Sequence, residues 1–129
     1  MLDHVGFAVA DAERSRAFYE KALAPIGITL IMSVSPEQTE AGGTAHGFGA
    51  NGKPFFWFGD NERVGEGTHV AFAVETRALV DAFHAAGLAA SGRDNGAPGL
   101  RPHYHPDYYG AFILDPDGNN IEAVCHRPE

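Results

Sequence analysis

The segments HVGFAV, residues 4–9, and HVAFAV, residues 69–74, are nearly identical and lie 65 positions apart. In both, Val, Phe and Val alternate with other residues, which is the period-2 pattern of a strand with one buried face. A helical pattern follows each segment. Asp11 is the predicted N-cap of a helix over residues 12–23, and Thr76 is the predicted N-cap of a helix that we expect to end at Gly87. The chain therefore repeats a unit that begins with a strand and a helix.

Extended segments follow each helix. After the first helix they are predicted over residues 28–34, 44–49 and 54–58, with a hairpin signal at Asn51-Gly52. After the second helix we expect a short strand near residues 88–91, a long loop, and strands over 109–114 and 120–125. The turn Asp115-Pro116-Asp117-Gly118 joins the last two strands. This order predicts an α+β fold of two βαβββ modules, about residues 1–60 and 66–127, that form a curved sheet with the helices on its outer face.

Composition excludes several classes of protein. The 129 residues are enough for one domain, which we expect to span residues 1–129. Nine Lys and Arg against seventeen Asp and Glu give a net charge of −8, which disfavours nucleic acid and anionic membrane surfaces as partners. No apolar run reaches the length of a membrane span, and the first residues lack a signal-peptide pattern. The single cysteine, Cys125, cannot form an internal disulfide, so a cytoplasmic location is expected.

Three side chains with metal-ligating chemistry are predicted to share one face of the sheet. If the Val-Phe-Val stripes face the helices, His4 and His69 project from the opposite, concave face. In the last strand Ile121 and Ala123 take the helix side, so Glu122 also faces the concave side. Two histidines and a carboxylate are the ligand set of a non-haem iron or related divalent site. Taken singly, the histidines are typical hydrogen-bonded residues and Glu122 a charge that protects a sheet edge, but their equivalent places in the repeat favour a metal site.

Several motifs of the chain resemble those of a known superfamily. The chain resembles the vicinal oxygen chelate superfamily in four motifs. They are HVGFAV at residues 4–9, SRAFY at residues 15–19, THVAF at residues 68–72 and DPDGNNIE at residues 115–122. The superfamily includes glyoxalase I, extradiol dioxygenases, fosfomycin-resistance transferases and bleomycin-resistance proteins, and the resemblance covers the whole chain. It implies the glyoxalase/bleomycin-resistance/dihydroxybiphenyl-dioxygenase fold and one divalent ion (Fe, Mn, Zn, Ni or Co) held by His4, His69 and Glu122. It further implies a homodimer whose modules pair across subunits, so that His4 and the other two ligands come from different chains.

Departures from the family patterns narrow the expected activity. Glyoxalase I usually has a fourth protein ligand, an acid, but the shift of 65 places Trp57 where Glu122 stands in the second repeat. An indole can neither bind the ion nor act as a base. The fosfomycin transferases have a threonine where this chain has Gly6. Three ligands are the pattern of the extradiol dioxygenases, which leave open positions on Fe(II) for catechol and oxygen.

An aromatic segment precedes the last two strands. Arg101-Pro102-His103-Tyr104-His105-Pro106-Asp107-Tyr108-Tyr109 contains two histidines and three tyrosines. The candidates for proton transfer are His103, Tyr104, His105 and Tyr109. Arg101 and Trp57 are candidate substrate-pocket residues, Arg101 for a substrate carboxylate and Trp57 as an aromatic wall. Alternatively, these aromatic residues anchor the loop, Arg101 is solvated, and most of the segment around Trp57 is core.

Two functions follow from these predictions. The first is a divalent-metal enzyme with dioxygenase-like or glyoxalase-like chemistry on a small, oxygen-rich molecule. The second is a metal-free protein that binds a drug or metabolite, as bleomycin-resistance proteins do, and for which the acidic charge would suit a cationic ligand. The substrate, the metal and the type of reaction stay open at this stage.

Overall fold

The computed structural model describes residues 1–38 and 42–129. In chain order the strands and helices of module one are β1 (Val5–Ala8), α1 (Ala12–Leu23), β2 (Thr29–Val34), β3 (Ala45–Ala50) and β4 (Lys53–Gly59). Those of module two are β5 (His69–Ala73), α2 (Arg77–Ala89), β6 (Arg93–Leu100), β7 (Tyr109–Leu114) and β8 (Asn120–Cys125). The predicted α+β architecture, with strand–helix–three strands twice, is confirmed.

Each module forms a four-stranded sheet. The strand orders are β1-β4-β3-β2 and β5-β8-β7-β6, and in each sheet the first pair is parallel and the others are antiparallel. The pairing register repeats as well: Gly6 pairs with Trp57 in module one, and Ala71 pairs with Glu122 in module two. The 65-residue shift seen in the sequence is therefore also a shift between equivalent positions of the two sheets.

The helix N-termini form as their sequences predict. Asp11 Oδ1 accepts a hydrogen bond of 3.0 Å from the backbone N–H of Arg14, and Thr76 Oγ1 accepts one of 3.2 Å from Leu79. These side chains satisfy amide groups that have no partner within the helix. The two caps fix where each helix starts relative to the strand before it.

The end of α2 and the strand after it differ from the prediction. Gly87 does not end α2; it lies inside the helix, where a Cβ would come 3.1 Å from Ile113 Cγ1. The glycine permits this close approach of helix to sheet, and the chain turns later, at Ser91, whose φ is +73°. The predicted short strand near residues 88–91 is therefore wrong, because these residues end the helix and form the turn. The second β-strand of module two is β6, Arg93–Leu100, which lies where the sequence predicted a loop.

The helix-facing sides of the two sheets contribute to one hydrophobic cluster. Phe56 of module one and Phe72 of module two meet there with ring centroids 5.1 Å apart. Phe56 and Phe58 are buried as predicted, whereas Trp57 between them points to the other side. The side of each sheet away from its helix, here called the open face, remains for other contacts. No helix in residues 1–38 or 42–129 has the length and apolar composition of a membrane span.

Candidate metal centre

His69 and Glu122 lie side by side on the open face of module two. Glu122 is only 2% exposed, and its Oε1 is 3.2 Å from His69 Nε2. Both side chains line a groove of about 560 Å³, here called the His69 groove. Its other lining residues are Tyr104, His105, Tyr108, Phe112 and Asn120. A carboxylate this buried needs a positive or hydrogen-bonding partner.

Hydrogen bonding fixes the proton on the His69 ring. Nδ1 is 3.0 Å from the backbone oxygen of Asn120, which can only accept, so Nδ1 donates. A neutral ring then has its lone pair on Nε2, which lies 3.2 Å from Glu122 Oε1. Two electron-rich atoms this close repel, so a proton or a cation that both can bind stabilises the pair. Adjacent ligands bonded at about 2.1 Å to one metal ion are about 3 Å apart, so this pair has the spacing and chemistry that a divalent ion requires.

Tyr108 holds the second oxygen of the carboxylate. Its hydroxyl donates a short hydrogen bond to Glu122 Oε2. Burial, and after it the hydrogen bond and charge of Glu122, raise the pKa of Tyr108 well above its usual value, so the phenol stays a donor at neutral pH. Gly110 leaves space for this contact, since a Cβ there would lie 3.1 Å from Glu122 Oε2. Oε1 is thus oriented toward His69 while Oε2 is fixed by the protein.

His4 is prepared in a similar way but lies elsewhere. Its Nδ1 is 2.7 Å from Asp3 Oδ1, which also accepts a bond of 2.9 Å from Lys53 Nζ. The hydrogen bonds from His4 and Lys53 lower the pKa of Asp3, so its carboxylate is ionised and His4 Nδ1 is the donor. The exposed His4 ring therefore presents the lone pair of Nε2. A histidine whose other nitrogen donates to an oxygen is the usual form of a metal ligand.

The three predicted ligands do not meet within one chain. His4 lines a separate groove between β1 and β5, together with apolar residues such as Phe55 and Phe72. Across residues 1–38 and 42–129 there is no group of three or more His, Cys, Asp or Glu side chains placed to hold a metal ion. The structure brings together His69 and Glu122, and places His4 in a different groove.

Part of the aromatic segment forms one wall of the His69 groove. Tyr104 and His105 line it, and Tyr104 packs on Tyr108 with ring centroids 4.8 Å apart. His103 contacts Tyr104 with ring centroids 4.2 Å apart, but does not itself line the groove. His105 is hydrogen-bonded over 2.8 Å to His126, which follows the last strand. These residues place imidazole and phenol groups beside the buried carboxylate.

Tyr109 faces away from the groove. Its hydroxyl donates to Asp81 Oδ1 over 2.7 Å, and its ring lies 5.2 Å from the Arg77 guanidinium carbon, so it contacts α2. The neighbouring Tyr108, which the sequence analysis did not single out, lies beside Glu122 instead. Strand alternation carries the necessary signal: Ala111 and Ile113 are core residues, so Tyr109 shares their side and Tyr108 the other.

The two predicted substrate-pocket residues lie apart from each other. Arg101 donates to the backbone oxygens of Gly99 and Ala97, both over 2.8 Å, and its guanidinium lies over the ring of Phe112 at 5.5 Å. Arg101 therefore lies next to Phe112, a lining residue of the His69 groove, and two of its nitrogens already donate to backbone oxygens. Trp57 lies on the open face of module one and lines a shallow pocket of about 230 Å³ with Gly6 and other residues.

Comparison with known families agrees with this fold. The model of the Glyoxalase/Bleomycin resistance protein/Dioxygenase superfamily matches residues 1–123. The chain belongs to this superfamily. A glyoxalase/bleomycin resistance protein from Albidiferax ferrireducens T118 is 31% identical, with 98% of each chain covered and a TM-score of 0.74. A search of curated proteins finds no match.

Two more distant solved structures share the fold. A glyoxalase/bleomycin resistance protein/dioxygenase family enzyme from Burkholderia phytofirmans PsJN is 21% identical over 98% of both chains, with a TM-score of 0.70. Glyoxalase I from Zea mays is 21% identical with a TM-score of 0.71, and the match covers 99% of this chain but 45% of the maize chain. The maize chain is thus about twice as long as the superfamily unit found here.

Proposed function

We propose that this protein is a divalent-metal-dependent enzyme that acts on a small, oxygen-rich molecule in the His69 groove. His69 and Glu122 would hold the ion, which would be Fe, Mn, Zn, Ni or Co. The observation that carries the proposal is the pair of potential ligand atoms, His69 Nε2 and Glu122 Oε1, which lie 3.2 Å apart while His69 Nδ1 is hydrogen-bonded to the backbone. Superfamily membership supports it, since members commonly bind a divalent metal.

The third ligand, His4, would come from a second copy of the chain. His4 is exposed and its Nδ1 is held by Asp3, which leaves Nε2 free to bind an ion, and the His69 groove is open to solvent. A homodimer would cover the open faces and exclude water from the ion. The double-length maize chain supports such pairing, because it has room for two units of this fold.

The ion, when bound, would act as a Lewis acid on neighbouring oxygens of the substrate. The protein residues have separate roles. Tyr108 keeps Glu122 oriented, and Tyr104 and His105 stand where a proton can be moved to or from a bound substrate. Trp57 from the partner and Arg101 would form walls of the closed pocket. Dioxygenase-like and glyoxalase-like reactions both fit this arrangement.

Metal content, oligomeric state and turnover test the proposal together. Protein purified without chelator should hold one divalent ion per chain and sediment as a dimer, and His69→Ala should lose the ion. Turnover is then screened with Fe(II) protein under oxygen and with Ni(II) or Zn(II) protein. His4→Ala should lower the affinity for the ion and leave the fold intact. If His4 is not a ligand, the affinity should stay unchanged. Protein that binds an organic cation with no ion present would instead be a metal-free binding protein of the bleomycin-resistance type.

A further inference from the structure

A second group of reactive side chains lies in module one, on the helix side of the sheet and away from the His69 groove. His46 on β3 is 1% exposed, and both of its ring nitrogens are hydrogen-bonded. Ser33 Oγ is 2.8 Å from its Nδ1, and Glu13 Oε1 is 2.9 Å from its Nε2. Ser33 belongs to β2 and is exposed, and Glu13 belongs to α1.

We propose that Ser33, His46 and Glu13 form a second reactive site, in which Ser33 is a base-assisted nucleophile toward small activated esters. The direction of the hydrogen bonds carries the proposal. An ionised carboxylate only accepts, so His46 Nε2 carries the hydrogen and donates to Glu13. Nδ1 then has the lone pair and accepts the hydrogen of Ser33. Hydroxyl, imidazole and carboxylate in this order are the arrangement that activates serine in hydrolases.

The surroundings hold the carboxylate and the ring in place. Glu13 Oε2 is 3.4 Å from Arg16 Nη1, which leaves Oε1 for His46. The His46 ring packs edge-on against Phe58, with centroids 5.8 Å apart. In serine hydrolases Nε2 usually serves the serine, whereas here Nδ1 does. Either nitrogen can be the base, because the carboxylate decides which one carries the hydrogen.

Ser33 is reachable from solvent. Within the described residues, β2 pairs only with β3 and forms the edge of its sheet. An edge strand presents backbone N–H groups on its open side, and such groups can stabilise a developing oxyanion. A small electrophile can therefore approach the hydroxyl without passing through the core.

The reaction with an aryl ester balances without any further reagent. Ser33 Oγ attacks the carbonyl carbon, and its proton passes to His46 Nδ1. The bond from carbon to the aryl oxygen then breaks, and the aryloxide leaves with that proton as a phenol. Water later attacks the acyl-serine with His46 as base, which releases the acid and restores the hydroxyl. A fluorophosphonate stops at the first step, because it forms a stable phosphonyl-serine and releases fluoride.

Labelling of the full-length protein with a small alkyl fluorophosphonate tests the proposal. Peptide mapping distinguishes the four serines, Ser15, Ser33, Ser35 and Ser91. We expect the label on Ser33 and hydrolysis of p-nitrophenyl acetate that Ser33→Ala abolishes. Ser35→Ala is the matched control, because the Ser35 hydroxyl donates to Gln38 Oε1 over 3.1 Å rather than to a histidine. Label on the other serines alone, or full ester hydrolysis by Ser33→Ala, would overturn the proposal.

Variants of the base separate activation from folding. His46→Asn keeps a polar side chain and should slow the labelling rate constant about a hundredfold or more, the usual contribution of a general base. In Glu13→Gln the side-chain oxygen can still accept from Nε2, so the labelling rate constant should fall by less than in His46→Asn. The reagent concentration for half-saturation should stay unchanged. Thermal unfolding of each variant shows that it is folded. An unchanged rate in folded His46→Asn contradicts the proposal. Labelling should survive a chelator, so this result is independent of the metal centre.

Discussion

The two modules share one backbone plan but carry their polar chemistry on opposite sides of the sheet. In module two, Glu122 and His69 lie on the open face, and Ala111 occupies the helix side. In module one, Trp57 lies on the open face at the position of Glu122, and the buried His46 occupies the position of Ala111. Both pairs follow the same shift of 65 residues.

This difference shows that the pairing register and the side-chain function vary independently. Strand pairing depends on backbone hydrogen bonds, which any of these side chains permits. The side chain that each position accepts then depends on its neighbours. Trp57 packs over Gly47, where a Cβ would lie 2.7 Å from the indole. Glu122 instead pairs with Phe112 of β7. Each of the following predictions compares a position in one module with a position in the other or with a neutral control.

The largest expected effect is on metal retention. Glu122→Gln removes the charge that would hold the ion while it keeps the side-chain shape, and should lower metal affinity by at least about tenfold. Trp57→Phe, at the equivalent position, should leave metal affinity unchanged. Titration calorimetry with Zn(II) and Ni(II) measures both variants. Equal affinities for the two variants would show that the modules do not differ in metal binding.

A smaller loss is expected at the contact that joins the modules. Tyr19 on α1 donates a 2.6 Å bond to the buried Asp115, in the turn between β7 and β8. Tyr19→Phe removes this donor and should lower the free energy of unfolding by about 2 kcal/mol. The equivalent His84 on α2 is bonded to the exposed Asp94, so His84→Gln should cost less. Urea unfolding compares the two, and a larger loss in His84→Gln would reverse the expected order.

The packing of Trp57 on Gly47 gives a third prediction. A Cβ at Gly47 would lie 2.7 Å from Trp57 Cζ2, so Gly47→Ala should lower the free energy of unfolding by about 1 to 2 kcal/mol. Gly65→Ala is the control, since a Cβ there meets nothing within 4 Å. The shape of the single tryptophan's fluorescence spectrum should change only in Gly47→Ala. In a Trp57→Ala background, Gly47→Ala should cost little further stability. If the losses of the two single variants simply add in the double variant, the indole is not the obstacle.

The smallest effect concerns alkaline pH. Burial and a nearby carboxylate raise the pKa of Tyr19 and of Tyr108, one in each module, above the usual 10.0. Above about pH 10 the unfolded chain loses these protons before the folded chain does, so stability should fall as pH rises. Tyr108→Phe should reduce this fall, as measured by urea unfolding at pH 9 and pH 11. An identical pH dependence in the variant would mean that Tyr108 does not contribute.

The sequence predicts most of the fold because its signals are local. The caps at Asp11 and Thr76, the alternation in β1 and β5 and the Asn51-Gly52 hairpin all depend on neighbouring residues. The predicted end of α2 was wrong because Gly87 lies inside the helix, against Ile113. That residue is 26 positions further along the chain, so no local pattern reveals the contact. The choice between Tyr108 and Tyr109 could have been made from alternation with the core residues of β7.

The repeat and the face of the sheet that His69 and Glu122 share follow from sequence alone, because periodicity records which side of a strand is buried. Only the tertiary structure shows that Tyr108 binds Glu122, that His4 lies in a different groove from His69, and that His46 connects Ser33 with Glu13. These contacts join residues far apart in the chain. Their distances are decided by how helices pack on sheets and sheets on each other, which no local pattern contains.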